Sequence, residues 1–575
     1  MIKLFRFLKK FRWLVIAVIG FMFVQAIAEL YLPTLMSDIV NNGMMKGDTA
    51  YIWRRGGYML LVAGLSSLSS IVGAFLSARV AVGFGKILRD NIFTRAERFS
   101  LHEFDKIGTA SMITRTTNDI NQVQMVLVMM MRFIIYAPIM CIGGIIMAYS
   151  KDRYLTLVLG GILPLFVATI VLIAAKVIPL FKSLQKKLDK VNQILRENLI
   201  GIRVIRAFNR IDTERKRFYD ANRDLTDTAI KVNKIMAVMQ PIMILLMNFT
   251  SISIIWFASK RIGENRLQIG DMMAFLQYAM QILFSIIMVS IMFVMIPRAQ
   301  ASAERINEIF EIEPEIIDPK DPKKVDEFKG HIEFKNVTFS YPGAETPAIE
   351  DISFEAKPGE VTAIIGGTGS GKSTILNLIM RFYDVDRGNI LIDGVDIREL
   401  EQKELRSFIG YVPQNAVLFS GTIADNIRYG KEDATDEEVR HAAEIAQAIE
   451  FINEMKDGFN SLVSQGGTNL SGGQKQRLSI ARAIVKKPKI YIFDDSFSAL
   501  DFKTDAKLRL ALKKETTNST VLIVAQRVAT IMDADKIIVL DEGRIVGIGK
   551  HRELLKTCEV YREIVSSQLS EEEIA

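Results

Sequence analysis

Six long apolar runs dominate the first half of the chain: residues 13–37, 56–78, 133–150, 154–175, 235–259 and 272–297. Glu29 is the only charge in the first run, and the other five carry none. A helix of about 20 residues crosses a bilayer, and in hydrocarbon every backbone N–H and C=O must be paired within the chain. Six membrane-crossing helices are therefore expected, and an even number of crossings returns the chain to its starting side. The mean hydropathy of +0.21 is one that soluble proteins rarely reach, and 575 residues exceed what one core accommodates.

The basic residues are placed asymmetrically. Lys and Arg number seven over Arg79 to Arg115, between the second and third runs, and fifteen between the fourth and fifth, against three, two and three in the opposite loops. Basic loops stay on the cytoplasmic side, so both termini and everything after Pro297 are expected in the cytosol of a multi-pass cell-membrane protein. The net charge of +7 then reflects topology and does not call for nucleic acid as a partner. Two cysteines, Cys141 and Cys558, imply no disulfide framework.

Residues 1–12 spaced on an α-helix put Leu4, Phe5, Leu8 and Phe11 on one face and Lys3, Arg6, Lys9, Lys10 and Arg12 around the other. This predicts an interfacial elbow helix against membrane lipid. The membrane domain is expected over 13–310, a Pro-rich acidic linker over 311–329, and from residue 330 to 575 an alternation of strand and helix patterns. The two basic loops span about fifty residues each and read as continuations of the crossing helices. Their tips, residues 101–108 and 207–214, are candidate docking turns.

Within the crossings, Gln25 and Glu29 lie one helical turn apart, and Gln277, Gln281, Phe284, Met288 and Met295 recur at helical spacing. Ionisable groups at such depth either line a pathway or bond a neighbouring helix, and both readings stand for these positions and for Arg132 and Asn248.

Chemistry concentrates in the second half. Gly366, Gly367, Thr368, Gly369, Ser370, Gly371, Lys372 and Ser373, followed by Thr374, form a G-x-x-x-x-G-K-[ST] loop between a strand-like run (361–365) and a helix-like one (374–380). Successive N–H groups of such a loop converge on a polyphosphate. The lysine adds a charge at the β/γ-phosphates and the hydroxyl ligates Mg²⁺. A second apolar run, Ile490 to Phe493, ends in Asp494, a carboxylate suited to the same Mg²⁺. It follows Leu470, Ser471, Gly472, Gly473 and Gln474, and precedes Ser498 to Asp501.

In this order the motifs resemble those of a half-size ABC exporter over essentially the whole length. The fold implied is a membrane all-α six-helix domain followed by an α/β P-loop nucleotide-binding domain. By this resemblance Tyr341 stacks on the adenine of ATP, and Gln414 touches Mg²⁺ and relays occupancy to the membrane helices. Residues 470–474 are the signature that closes on nucleotide held by an opposite subunit, and Asp501 joins the two sites, so a dimer is implied. The cargo class is amphipathic: drug, lipid or peptide.

Two positions depart from the pattern. Asp495 stands where a catalytic Glu is usual, retracting the carboxylate by about one C–C bond when a base must lie within about 2.6–3.2 Å of its water. Gln526 replaces the switch histidine and carries neither proton nor charge. None of His102, His331, His441 and His551 is placed to substitute for it, and Val463 to Gly467 also differs from the usual stretch. This combination resembles the degenerate-site subunit of heterodimeric exporters, whose partner would bring the Glu and the His. A homodimer with Asp495 as base and a nucleotide-gated sensor remain the alternatives.

Overall fold

The computed structural model describes residues 1–325 and 327–569. They form two compact units: Met1–Glu97 with Thr109–Ile312, and Arg98–Gly108 with Glu313 onward.

Six helices in the first unit are long and apolar enough to cross a membrane. The first crossing helix is Arg12–Asp38 and the second Thr49–Ala96. The third runs Thr109–Lys151, with a wider π-type turn at Arg115–Asp119, and the fourth is Arg153–Ile200. The fifth and sixth are Ile211–Gly263 and Ile269–Glu311. At 1.5 Å per residue, helices of 48 and 53 residues reach about 70–80 Å, against a hydrocarbon core of about 30 Å. The basic loops are therefore helical extensions of the crossings.

Packing follows side-chain size. Phe275, Tyr278, Ala279 and Ile282 of the sixth helix are buried among Met140, Leu155, Leu159 and Ile254. Gly144 admits the sixth helix closely, because a Cβ there would lie 2.7 Å from Ile282 Cγ1. Leu60, Leu157 and Trp256 face outward as large exposed apolar groups, which suits a lipid-facing surface.

Polar ties join the helix ends. Asp271 accepts from Ser37 Oγ at 2.7 Å and pairs with Lys151 at 2.8 Å. Asp152 caps the fourth helix, accepting from Leu155 N at 2.9 Å, and pairs with Arg261 at 2.7 Å while its side chain is only 3% exposed. Removing one partner of a buried pair strands the other charge, at about 3–5 kcal/mol. Arg261→Met is therefore expected to lower the thermal unfolding midpoint of the full chain in lipid nanodiscs, and Arg261→Lys to recover part of the loss.

Two local expectations need correction. Ile2–Phe11 is a tight 3₁₀ helix, in which residues three apart eclipse. Its faces therefore differ from those of an α-helix: Leu4 is fully buried and Phe7 packs on Phe310 at 5.5 Å. The second loop tip is also displaced. A short helix, Ile202–Ala207, precedes the turn, and the fifth helix restarts at Ile211, so only 208–210 of the expected 207–214 form the turn. Asn209, at φ +52°, breaks the helix there.

In the second unit, β1 (Ile332–Phe339), β2 (Ile349–Ala356), β4 (Arg387–Ile392) and β5 (Val395–Asp396) form an antiparallel sheet in the order β2-β1-β4-β5. The larger sheet runs β12-β11-β3-β10-β9-β6. It comprises β3 (Val361–Gly366), β6 (Ile409–Val412), β9 (Ile490–Asp494), β10 (Thr520–Val524), β11 (Lys536–Asp541) and β12 (Arg544–Gly549), all parallel except β12. A two-stranded pair, β7 (Gly421–Thr422) and β8 (Leu462–Val463), lies apart. Alternation divides the core: Ile490, Ile492, Leu522 and Val524 meet the helix Lys372–Ile379, whereas Tyr491, Phe493, Val521 and Ile523 belong with the helix Gly472–Val485. The sheet is thus buried on both faces, as parallel sheets are.

The first loop tip belongs to this unit and not to the helices on either side of it. Ser100 caps the helix Leu101–Ile107. Buried Glu103 accepts from Ser100 N at 2.6 Å and from Glu315 N at 3.0 Å, and His102 meets Glu315 at 2.9 Å.

Candidate nucleotide-binding site

Four adjacent parallel strands end at the same edge, and each delivers one part of the site. β3 leads into the glycine loop, β10 into Gln526, β9 into Asp494 and Asp495, and β6 into Gln414. Open α/β sheets bind ligands at this carboxyl edge.

Gly371 closes the loop at φ +93°, where a Cβ would lie 2.5 Å from Ile349 and 2.8 Å from the Ala348 carbonyl. Only glycine fits that turn. The helix Lys372–Ile379 starts at the next residue, so its N-terminal N–H groups face the loop. Lys372 Nζ folds back to donate to the carbonyls of Gly366 at 2.9 Å and Gly367 at 2.5 Å, with Ser370 Oγ at 3.4 Å. Burial pushes its pKa down, opposed by Asp495 and Asp494. Such a lysine gains from a triphosphate that replaces weak carbonyl partners with full negative charge.

Ser373 Oγ donates to Asp494 Oδ1 at 3.1 Å. Burial pushes the Asp494 carboxyl up; the Ser373 hydroxyl opposes the rise and Asp495 adds to it. Two buried carboxylates beside a hydroxyl form a hard-oxygen donor set, and this fits Mg²⁺.

Asp495 is 8% exposed and sits at φ +44°, a left-handed backbone uncommon outside glycine. Gln414 Nε2 donates to its Oδ2 at 3.2 Å. Gln526 is exposed, and its loop is held from a residue that sequence reasoning missed. Gln568, just beyond the helix Glu559–Ser566, donates to the Gln526 carbonyl at 2.8 Å and accepts from Val528 N at 2.8 Å. One amide thus brackets Arg527. A lone glutamine 42 residues away carries no sequence signal of this.

Tyr341 lies at the end of β1, with its ring edge-on to Phe339 and Tyr383 and its hydroxyl 3.1 Å from Thr374 Oγ1. Leu470 is buried, whereas Ser471 and Gly472 are exposed at the start of the helix Gly472–Val485. Ser471 and Gln474 form a reciprocal cap: Gln474 Oε1 accepts from Ser471 N at 2.8 Å, and Ser471 Oγ accepts from Gln474 N at 3.3 Å. Asp501 caps the helix Phe502–Glu515 at Thr504 N, 2.9 Å away, and that bond draws its pKa down.

In the membrane unit, Glu29 accepts from Gln25 at 2.9 Å, from Ser66 at 3.2 Å and from the Tyr136 hydroxyl. Gln281 donates to the Glu29 carbonyl at 3.3 Å. Of the two readings for Glu29, bonding between neighbouring helices is the arrangement observed. Gln277 is exposed and Met288 half-buried.

The ABC transporter transmembrane region model matches residues 15–287, and the ABC transporter model matches residues 349–498. An ABC transporter ATP-binding protein of Mycobacterium tuberculosis is 42% identical over 98% of this chain and 97% of its own. The ATP-dependent lipid A-core flippase of Vibrio parahaemolyticus is 29% identical over 99% and 98%. The solved structure of a bacterial Atm1-family ABC exporter with ATP bound aligns at a TM-score of 0.80 and 27% identity, covering 97% of this chain and 99% of that one. With six crossing helices followed by a doubly covered parallel sheet that carries a phosphate loop, the chain belongs to the ABC transporter family, as a half-size exporter with a cytoplasmic nucleotide-binding domain.

Proposed function

We propose that this chain is one half of a heterodimeric exporter that moves an amphipathic substrate across the cell membrane by alternating access, and that its own ATP site is hydrolytically impaired. Residues 366–374 hold the phosphates, with Lys372 drawn to the β/γ-phosphates and Tyr341 against adenine. Ser373, Asp494 and Gln414 would hold Mg²⁺, which when bound offsets charge on the phosphates. Asp495 and Gln526 take the base and switch positions, without the reach of Glu or the charge of His. Leu470, Ser471, Gly472, Gly473 and Gln474, with Asp501, complete the partner's site, where hydrolysis would mainly occur. The exposed Ser471, which caps the helix Gly472–Val485, supports that role. Membership of Arg98–Gly108 in the second unit supports transmission of nucleotide closure to the membrane helices.

The single observation that carries the reading is the pair Asp495 and Gln526 at the edge where the other site parts converge. A second reading, a homodimer with Asp495 as base, is favoured by the Gln414–Asp495 bond, which holds that carboxylate in the site.

Amphipathic substrate is supported by the adaptable Gln277, Gln281 and Met288 surface and by the likeness to a lipid A-core flippase, with Gln25 and Glu29 the polar candidates nearby. Vesicles holding both subunits and a labelled lipid or amphipathic dye should show ATP-dependent uphill movement. Nucleotide-driven conformational change without any flux would instead identify a sensor.

A further inference from the structure

The 3₁₀ geometry of Ile2–Phe11 aligns residues three apart, with about 6 Å between successive members of a row. Lys3, Arg6 and Lys9 are spaced by three within it and so form one cationic row, Arg12 follows where the first crossing helix begins, and all four are exposed. Lys3 pairs with Glu311 at 2.5 Å. Among the described residues, Arg6, Lys9, Lys10 and Arg12 make no ion pair, and the chain has no acidic residue before Glu29.

These four cations, with Trp13 and Ile87, line a shallow, open cavity of about 670 Å³ at the surface. The Arg6 guanidinium lies 4.9 Å over the Phe7 ring and that of Arg12 5.5 Å over Trp13, so two of the charges rest on aromatic faces. Trp13 is 71% exposed and begins an outward apolar strip that continues through Ile16 and Ile19 of the first crossing. Tryptophan at such a junction marks the boundary between headgroups and acyl chains. On the opposite side, Leu4 is buried, Phe7 is held by Phe310, and Phe11 lies against Gly83, so the helix is fixed by protein and its cations are left to another ligand.

We propose that this cavity is a binding site for an anionic phospholipid, with the phosphate headgroup among Arg6, Lys9, Lys10 and Arg12 and an acyl chain along Trp13, Ile16 and Ile19. A soluble phosphate would use the cations alone. The apolar strip that leads directly out of the cavity selects a lipid.

A full-length Trp53→Phe/Trp256→Phe variant keeps Trp13 as its only tryptophan. In phosphatidylcholine vesicles carrying a small mole fraction of a brominated lipid, brominated phosphatidylglycerol is expected to quench Trp13 several-fold more than brominated phosphatidylcholine at the same fraction. Arg6→Gln and Lys9→Gln should each lower the preference measurably, one cation at an anionic surface being worth about 1 kcal/mol, and together with Lys10→Gln they should erase it. ATP affinity measured on the same preparations confirms that the variants are folded. Equal quenching by the two lipids, or a preference unchanged in the triple variant, would overturn the proposal. Displacement of the brominated lipid by millimolar inorganic phosphate would do so in favour of a soluble anion.

Discussion

The double variant Asp495→Glu/Gln526→His is expected to raise ATP turnover by the self-associated full chain about 10²–10³-fold, within the range that positioned acid–base groups contribute. On the proposed reading the other parts of a composite site stand ready: the phosphate loop, Ser373 beside Asp494 at 3.1 Å, and the capped signature helix. The added methylene carries the carboxylate outward from a backbone that already adopts φ +44°, and histidine restores a group able to carry charge at the γ-phosphate. Each single replacement should give much less, because the two act on one transition state and groups that work as a unit are not additive. Phosphate release measured on the four proteins checks this. A flat series would contradict the proposed impairment at Asp495 and Gln526.

The second large effect is loss of binding. Lys372→Met should weaken ATP affinity about 10–100-fold, the cost of losing charge-assisted hydrogen bonds to phosphate, while leaving the thermal midpoint of the membrane domain unchanged. Among the described residues the ammonium bonds only to carbonyls and a hydroxyl of its own loop, so its removal disturbs little beyond the site. Titration with a fluorescent ATP analogue reads the effect directly. Retention of near-normal affinity would mean that backbone N–H groups alone carry the phosphates.

What could be read in advance follows the range of the forces involved. A crossing helix is dictated by a run of apolar residues and needs no partner to be recognised, so six runs corresponded to six helices. The phosphate loop is equally local, since glycines at fixed spacing state a backbone requirement, as Gly371 at φ +93° illustrates. Contacts between distant residues were not legible. The Glu29 carboxylate is satisfied by Tyr136 and Ser66, 107 and 37 positions away, so its part in joining helices emerged only from the packing. Gln568 grips the loop of Gln526 through backbone groups, an interaction that makes no demand on residue type at the gripped positions. The 3₁₀ form of residues 2–11 was hidden because α-helical spacing also produced a plausible amphipathic face.

On the proposed function, this polypeptide binds ATP without hydrolysing it quickly. ATP turnover by the chain purified alone and reconstituted in lipid measures that claim most directly, with nucleotide binding confirmed on the same sample. Saturable binding is expected with turnover near background, rising when a second half bearing Glu and His is added. Full-speed hydrolysis by the unaccompanied, self-paired chain would contradict it.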